Sequence, residues 1–116
     1  MQHKLVMTRQ VRNWLHALRS GDPVTRRLVA EAIDQLLDEG PRLGRPLADR
    51  ISGSRLHNLK ELRPGSAGTS EVRILFIFDP VRNAVLLVAG DKSGRWQEWY
   101  REAIPAAEAA YEAYLK

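Results

Sequence analysis

Between Val72 and Phe78 apolar and other positions alternate. Val72, Ile74, Phe76 and Phe78 fall on one side, and Arg73, Leu75 and Ile77 on the other. A period of two predicts a strand over Glu71–Phe78, ended by Asp79-Pro80. After a turn holding Asn83, the run from Ala84 to Ala89 is apolar throughout, which predicts a central strand covered on both faces. Gly90-Asp91-Lys92-Ser93-Gly94 closes it. Upstream the period lengthens to that of a helix. Val11, Trp14, Leu15 and Leu18 share one face of a helix from Arg9 to about Arg19, with Thr8 as its N-cap and Ser20-Gly21 as its stop. Asp22-Pro23 starts a second helix, with Leu28, Val29, Ala32, Ile33, Leu36 and Leu37 as its apolar stripe and Gly40-Pro41 as its end.

The remaining segments are less regular. His3–Met7 reads as a short first strand, Pro41 to about Arg55 as a loop, and Leu56–Arg63 as a strand. Pro64 to Gly68 reads as a turn. Helical pattern resumes at Arg95 and runs to Tyr100 or beyond, and Pro105 starts a last helix with Ala109, Tyr111 and Leu115 as packing positions. Two helices followed by a meander of strands and a C-terminal helix define an α+β domain. Its sheet is small and mainly antiparallel, with helices packed on one face.

A length of 116 residues, 44% of them hydrophobic and 28% charged, suits a single domain (1–116) with a real core. The absence of cysteine excludes disulfides, thiolate metal sites and cysteine nucleophiles, and favours a cytoplasmic home. No stretch approaches 18 consecutive apolar residues, so no membrane partner is expected. The net charge of +4 points to an anionic partner, nucleic acid first. The charge is unevenly placed. The second helix carries Asp22, Glu31, Asp34, Asp38 and Glu39 against Arg26 and Arg27, whereas Pro41–Arg63 carries Arg42, Arg45, Arg50, Arg55, Lys60 and Arg63 against Asp49 and Glu61.

No HExxH, GxSxG, P-loop or strand-linked GxGxxG occurs, and His3, His16 and His57 have no metal-ligand spacing. What remains is a group of cations on neighbouring strands: Lys60 and Arg63, then Arg73, then Lys92 and Arg95 after the last strand. Converging like charges repel, so such a group suits either a solvated polar face or an anion-binding face. Trp96 and Trp99, at i and i+3, can both pack onto the sheet. Tyr100 points elsewhere, toward the cations or a stacked base.

The stretches GPRLGRPLADRISGSRLHNLKELRPGSAGTSEVRILFIFDP and LLVAGDKSGRWQEWYREAIPAAEAAY, with LKELRP, EVRILF, GDK and WY in register, resemble the RelE superfamily of type II toxins. The resemblance is greatest to its HigB-like, phage-associated branch and spans Gly40 to about Tyr111. It implies the RelE-like toxin fold and a metal-independent, cofactor-free endoribonuclease that cuts messenger RNA on the ribosome. In such enzymes the ribose 2′-hydroxyl attacks the adjacent phosphate. It also implies a cognate antitoxin, a helix-turn-helix protein of HigA type. Carried over by position, Arg73 clamps the phosphate, Lys92 is the basic residue after the last strand, and Tyr100 stacks on a base or assists proton transfer. Lys60 lies where relatives carry a catalytic cation, with Arg63, Arg55, Arg95 and His57 as RNA contacts. Glu61 departs from the pattern, since relatives carry lysine about there. It is either the general base or an ion-pair partner of Arg63 or Arg73. Two other readings stay open: a toxin of the same fold that inhibits DNA gyrase, and an inactive binding homologue.

Overall fold

The computed structural model describes residues 2–66 and 68–116; Ala67, assigned to a turn from the sequence, lies outside them. Strand β1 (Leu5–Met7) leads into α1 (Arg9–Gly21) and α2 (Pro23–Glu39). Strands β2 (Ala48–Arg50), β3 (Lys60–Leu62), β4 (Val72–Phe78) and β5 (Ala84–Asp91) follow, then α3 (Trp96–Leu115). They form one five-stranded sheet in the order β1-β5-β4-β3-β2, antiparallel except where β1 runs parallel to β5. This is the α+β architecture expected.

The helix starts are built from the predicted caps. The Thr8 hydroxyl accepts from the Val11 amide (3.3 Å), and the Asp22 carboxylate accepts from the Thr25 amide (3.1 Å) and hydroxyl (2.6 Å). Helix α2 stops at Gly40, whose φ of +65° suits a residue without a side chain. The His3 ring also lies where a Cβ would stand, 2.1 Å from that position.

Several expectations are corrected. β1 begins at Leu5 rather than His3. Only Lys60–Leu62 of the expected Leu56–Arg63 strand pairs with neighbours; Leu56–Leu59 closes a turn in which the Leu59 amide donates to the Leu56 carbonyl. Part of the expected loop, Ala48–Arg50, is a strand too short to carry a readable alternation. Helix α3 is continuous through Pro105, where a new helix was expected. Trp99, Ala103, Ala107 and Tyr111 form its inward stripe, and Pro105 faces outward. The carbonyl four residues back, on exposed Arg101, can therefore be hydrated.

The helices do not share one face. Val11, Val29 and Leu36 of α1 and α2 pack against Leu62, Ile74, Phe76 and Leu86 on one side of the sheet. Trp99, Ala103, Ala107 and Tyr111 of α3 pack against Leu75, Ile77, Val85 and Leu87 on the other. The alternation in β4 is therefore two apolar sets with a helix layer for each.

Strand β5 departs from alternation at one point. Leu75 pairs with Val88 but Phe76 pairs with Leu86, so Leu87 is an extra residue and both Leu87 and Val88 turn toward α3. Every later residue of β5 has its face reversed. That places Gly90 and Lys92 on the α3 side of the sheet.

Candidate active site

Alternation in β3 turns Leu62 and Lys60 toward α2 and Glu61 toward α3. Alternation in β4 turns Arg73 to the α3 side, and the bulge adds Lys92. Helix α3 then lays Tyr100 over them. The Tyr100 hydroxyl donates to Glu61 Oε1 at 2.5 Å, and Lys92 Nζ donates to the same hydroxyl at 3.3 Å. Glu61 Oε2 accepts from Arg63 Nη2 (2.8 Å) and Nε (3.1 Å). The result is a chain from ammonium through phenol to carboxylate, flanked by two guanidinium groups.

The two arginines differ in what they have left to offer. Arg63 is engaged twice, because its Nη2 also donates to Asp49 at 3.2 Å. Its charge is held more firmly than usual by the Glu61 hydrogen bond. Arg73 is only 15% exposed, and among the described residues its one hydrogen bond runs from Nη1 to the neighbouring Val72 carbonyl (2.8 Å). Among the same residues its buried Nε has no acceptor; it lies 3.8 Å from Glu61 Oε1, and Nη2 stands 3.9 Å from Glu71. A buried guanidinium with unused donors calls for an anion.

Burial also shapes the proton chemistry. Desolvation, reinforced by Arg73, holds the Lys92 ammonium below the ordinary lysine range. Desolvation and then the Glu61 hydrogen bond push the Tyr100 hydroxyl up to about 12. Tyr100 therefore stays protonated at neutral pH and serves as a donor, not as a base. A phenol whose folded-state pKa is raised contributes stability that is fully present below pH 10 and fades as pH rises toward 12. Tyr100→Phe lacks this term, so its stability falls less steeply than that of the unaltered protein between pH 10 and 12, as urea titrations at each pH will measure.

Glycine is required where α3 meets the sheet. A Cβ on Gly90 would stand 2.5 Å from the Trp99 indole nitrogen. Gly90→Ala is expected to lose about 1–3 kcal/mol and to shift α3 outward, read as a lower thermal midpoint with altered tryptophan emission.

An open cleft of about 450 Å³ leads to the cluster, lined by Glu61, Arg63, Gln97, Tyr100, Arg101 and Ile104 among others. Gln97, Arg101 and Ile104 were not singled out from the sequence. Their spacing from Tyr100 at i−3, i+1 and i+4 marks one helix face, and all three precede Pro105, so that face was legible in the sequence.

The other residues named from the sequence lie apart from the cluster. Lys60 sits on the opposite face, where Nζ donates to the Pro41 carbonyl (3.2 Å), because the regularly paired, unbulged β3 turns consecutive residues to opposite sides. Arg55 pairs with Glu108 and Glu112 on α3, and Arg95 pairs with Glu102. His57 is exposed between β2 and β3. The expected five cations reduce to three: Arg63, Arg73 and Lys92. Trp99 packs on the sheet as expected, but Trp96 does not: it is 56% exposed, with Lys92 Nζ 3.8 Å from the centre of its ring.

A small five-stranded mixed sheet clad by helices on both faces is the α+β fold of RelE-like toxins. The sequence comparisons name the branch. The family described as phage-derived protein Gp49-like (DUF891) matches residues 14–112. The chain is 55% identical over 102 residues to "Putative toxin HigB2" of Mycobacterium tuberculosis, covering 88% of this chain and 49% of that protein. It is 48% identical over 111 residues to "Putative toxin HigB3" of the same organism, covering 96% and 92%. The chain thus spans about half the length of the first relative and nearly all of the second. It belongs to the phage-derived Gp49-like family and is HigB-like within it. No solved structure matches it.

Proposed function

We propose that the protein is the toxin of a type II toxin–antitoxin system and acts as a ribosome-dependent, metal-independent endoribonuclease on messenger RNA. The observation that carries this reading is the buried Arg73, with unused donors beside the Glu61 carboxylate. Its Nη2, unlike the fully buried Nε, can reach a non-bridging oxygen of a phosphodiester, with the guanidinium charge behind it. Glu61 then takes the proton of the ribose 2′-hydroxyl, whose oxygen attacks the adjacent phosphorus. The bond to the 5′ oxygen breaks, and that oxygen leaves with a proton from Lys92. The products are a 2′,3′-cyclic phosphate and a 5′-hydroxyl. Lys92, held below the ordinary lysine range by burial, is the better acid for it. Tyr100 bridges acid and base and gives the proton a path back from Glu61 to Lys92. Arg63, anchored by Asp49, orients the carboxylate.

Where relatives carry a lysine this chain has the Glu61 carboxylate, whose oxygens can accept a proton. The names of the HigB relatives support the toxin role, and with it a cognate antitoxin, of helix-turn-helix HigA type, as partner.

The test is a purified translating ribosome system with the message read by primer extension. New 5′ ends that require both the protein and ribosomes support the reading. An intact message overturns it, and inhibition of gyrase supercoiling then becomes the next assay.

A further inference from the structure

Trp96 has an unusual position for a large aromatic side chain. It opens α3, and among the described residues it is the one exposed tryptophan, at 56%, whereas Trp99 three residues on is 7% exposed. One face of its ring is occupied, because Lys92 Nζ lies 3.8 Å from the ring centre. Tyr100, one turn further along the helix, flanks the same ammonium at 5.1 Å. Lys92 is thereby only 5% exposed, between two aromatic rings. With one face on the ammonium, the outer face is the one left for a stacking partner. An indole capped below by a cation and open above is a stacking platform. The cation draws electron density from the ring and favours an electron-rich partner on the free face. The platform adjoins a chain of groups that ends at Glu61 and Arg73, where the proposed function seats a phosphate.

We infer that the outer face of Trp96 is a nucleobase subsite, which stacks a base of the bound strand next to the phosphate held at Arg73 and Lys92. Resting on that functional reading, it adds a second point of attachment. Charge at the cluster fixes the backbone, and the indole fixes one base without reading its edge. Purines, with the larger stacking area, are preferred over pyrimidines.

The test is a double cycle that requires no cleavage. A short oligoribonucleotide, made uncleavable by 2′-deoxy substitution at the scissile position, is titrated against wild type, Trp96→Ala and Trp96→Phe. Binding is followed by fluorescence anisotropy of an end label. The same titrations use an oligonucleotide abasic at the position next to the 2′-deoxy nucleotide. Trp96→Ala weakens the intact strand by roughly 5- to 150-fold, the range for loss of one base–aromatic stack, and Trp96→Phe recovers most of it. On the abasic strand all three proteins bind alike. A role confined to shielding Lys92 predicts the opposite: Trp96→Ala then weakens the intact and abasic strands by the same factor, which overturns the subsite. Equal affinity of wild type for intact and abasic strands, or no saturable binding, also overturns it. The nuclease reading is judged separately on ribosome-bound message, so the two can fail independently.

Discussion

Arg73→Ala is expected to abolish message cleavage while leaving the protein folded: the rate should fall by about 10²- to 10³-fold or more, the loss seen when one preorganised donor to a developing anionic charge is removed. Few variants separate function from stability so cleanly. Among the described residues Arg73 makes one hydrogen bond, to the carbonyl of its own neighbour, and its buried Nε has no acceptor. Removing it relieves a half-satisfied charge, and Glu61 keeps both Arg63 and Tyr100. The thermal midpoint therefore moves by only a few degrees, within the range of an ordinary surface substitution. Arg73→Lys retains the charge but not the fork, and falls between the two. Primer extension and a thermal melt on the same preparations check both halves. Near-normal cleavage by Arg73→Ala would remove the phosphate clamp from the mechanism.

Glu61 carries the second large effect, and here stability and catalysis are entangled. Its side chain is 5% exposed and both oxygens are engaged. Glu61→Ala leaves Arg73 buried beside no carboxylate closer than Glu71 and leaves the Tyr100 hydroxyl without its acceptor. Breaking a buried pair on one side costs about 3–5 kcal/mol. The lower end is expected, because Arg63 is 34% exposed and keeps Asp49. For a chain of this length that is a fall of roughly 10 °C in thermal midpoint. Glu61→Gln keeps the shape and an oxygen to accept from Tyr100, so it loses less stability, yet it has no basic site. Its cleavage rate falls by about 10²- to 10⁴-fold, the usual contribution of a general base. If Glu61→Gln cuts at the normal rate, the carboxylate is a structural counter-ion and the base lies elsewhere.

The basic face is narrower than charge counting suggested. Arg55 and Arg95 are bound to carboxylates of α3, and Lys60 lies behind the sheet. Three cations and one carboxylate remain; the cleft that α3 lines with Gln97, Tyr100 and Arg101 reaches Glu61 and Arg63, with Arg73 and Lys92 behind them.

The chain by itself determined the elements whose information is local. The 3.6-residue stripes of α1 and α2 with their Thr8 and Asp22 caps, and the two-residue alternation of Val72–Phe78, depend on neighbours in sequence, and they stand as read. The basic residues of β4 and of the turn after β5, the aromatic at Tyr100 and the family were legible for the same reason: they are fixed motifs at fixed spacing. Three things were decided only by tertiary structure. The first is that α3 covers the opposite face from α1 and α2, which makes the Arg73 side of β4 an interior rather than a solvated face. The second is which of Lys60 and Glu61 turns inward, set by the pairing of Glu61 with Leu75 across the strands. The third is the bulge at Leu87-Val88, invisible in an apolar run that has no alternation to interrupt. That one extra residue reverses the face of everything after it and brings Lys92 to Tyr100, where the candidate site is assembled. Periodicity is a property of neighbours along the chain, whereas parity across a sheet depends on which distant strand is paired, and on that pairing the proposed chemistry rests.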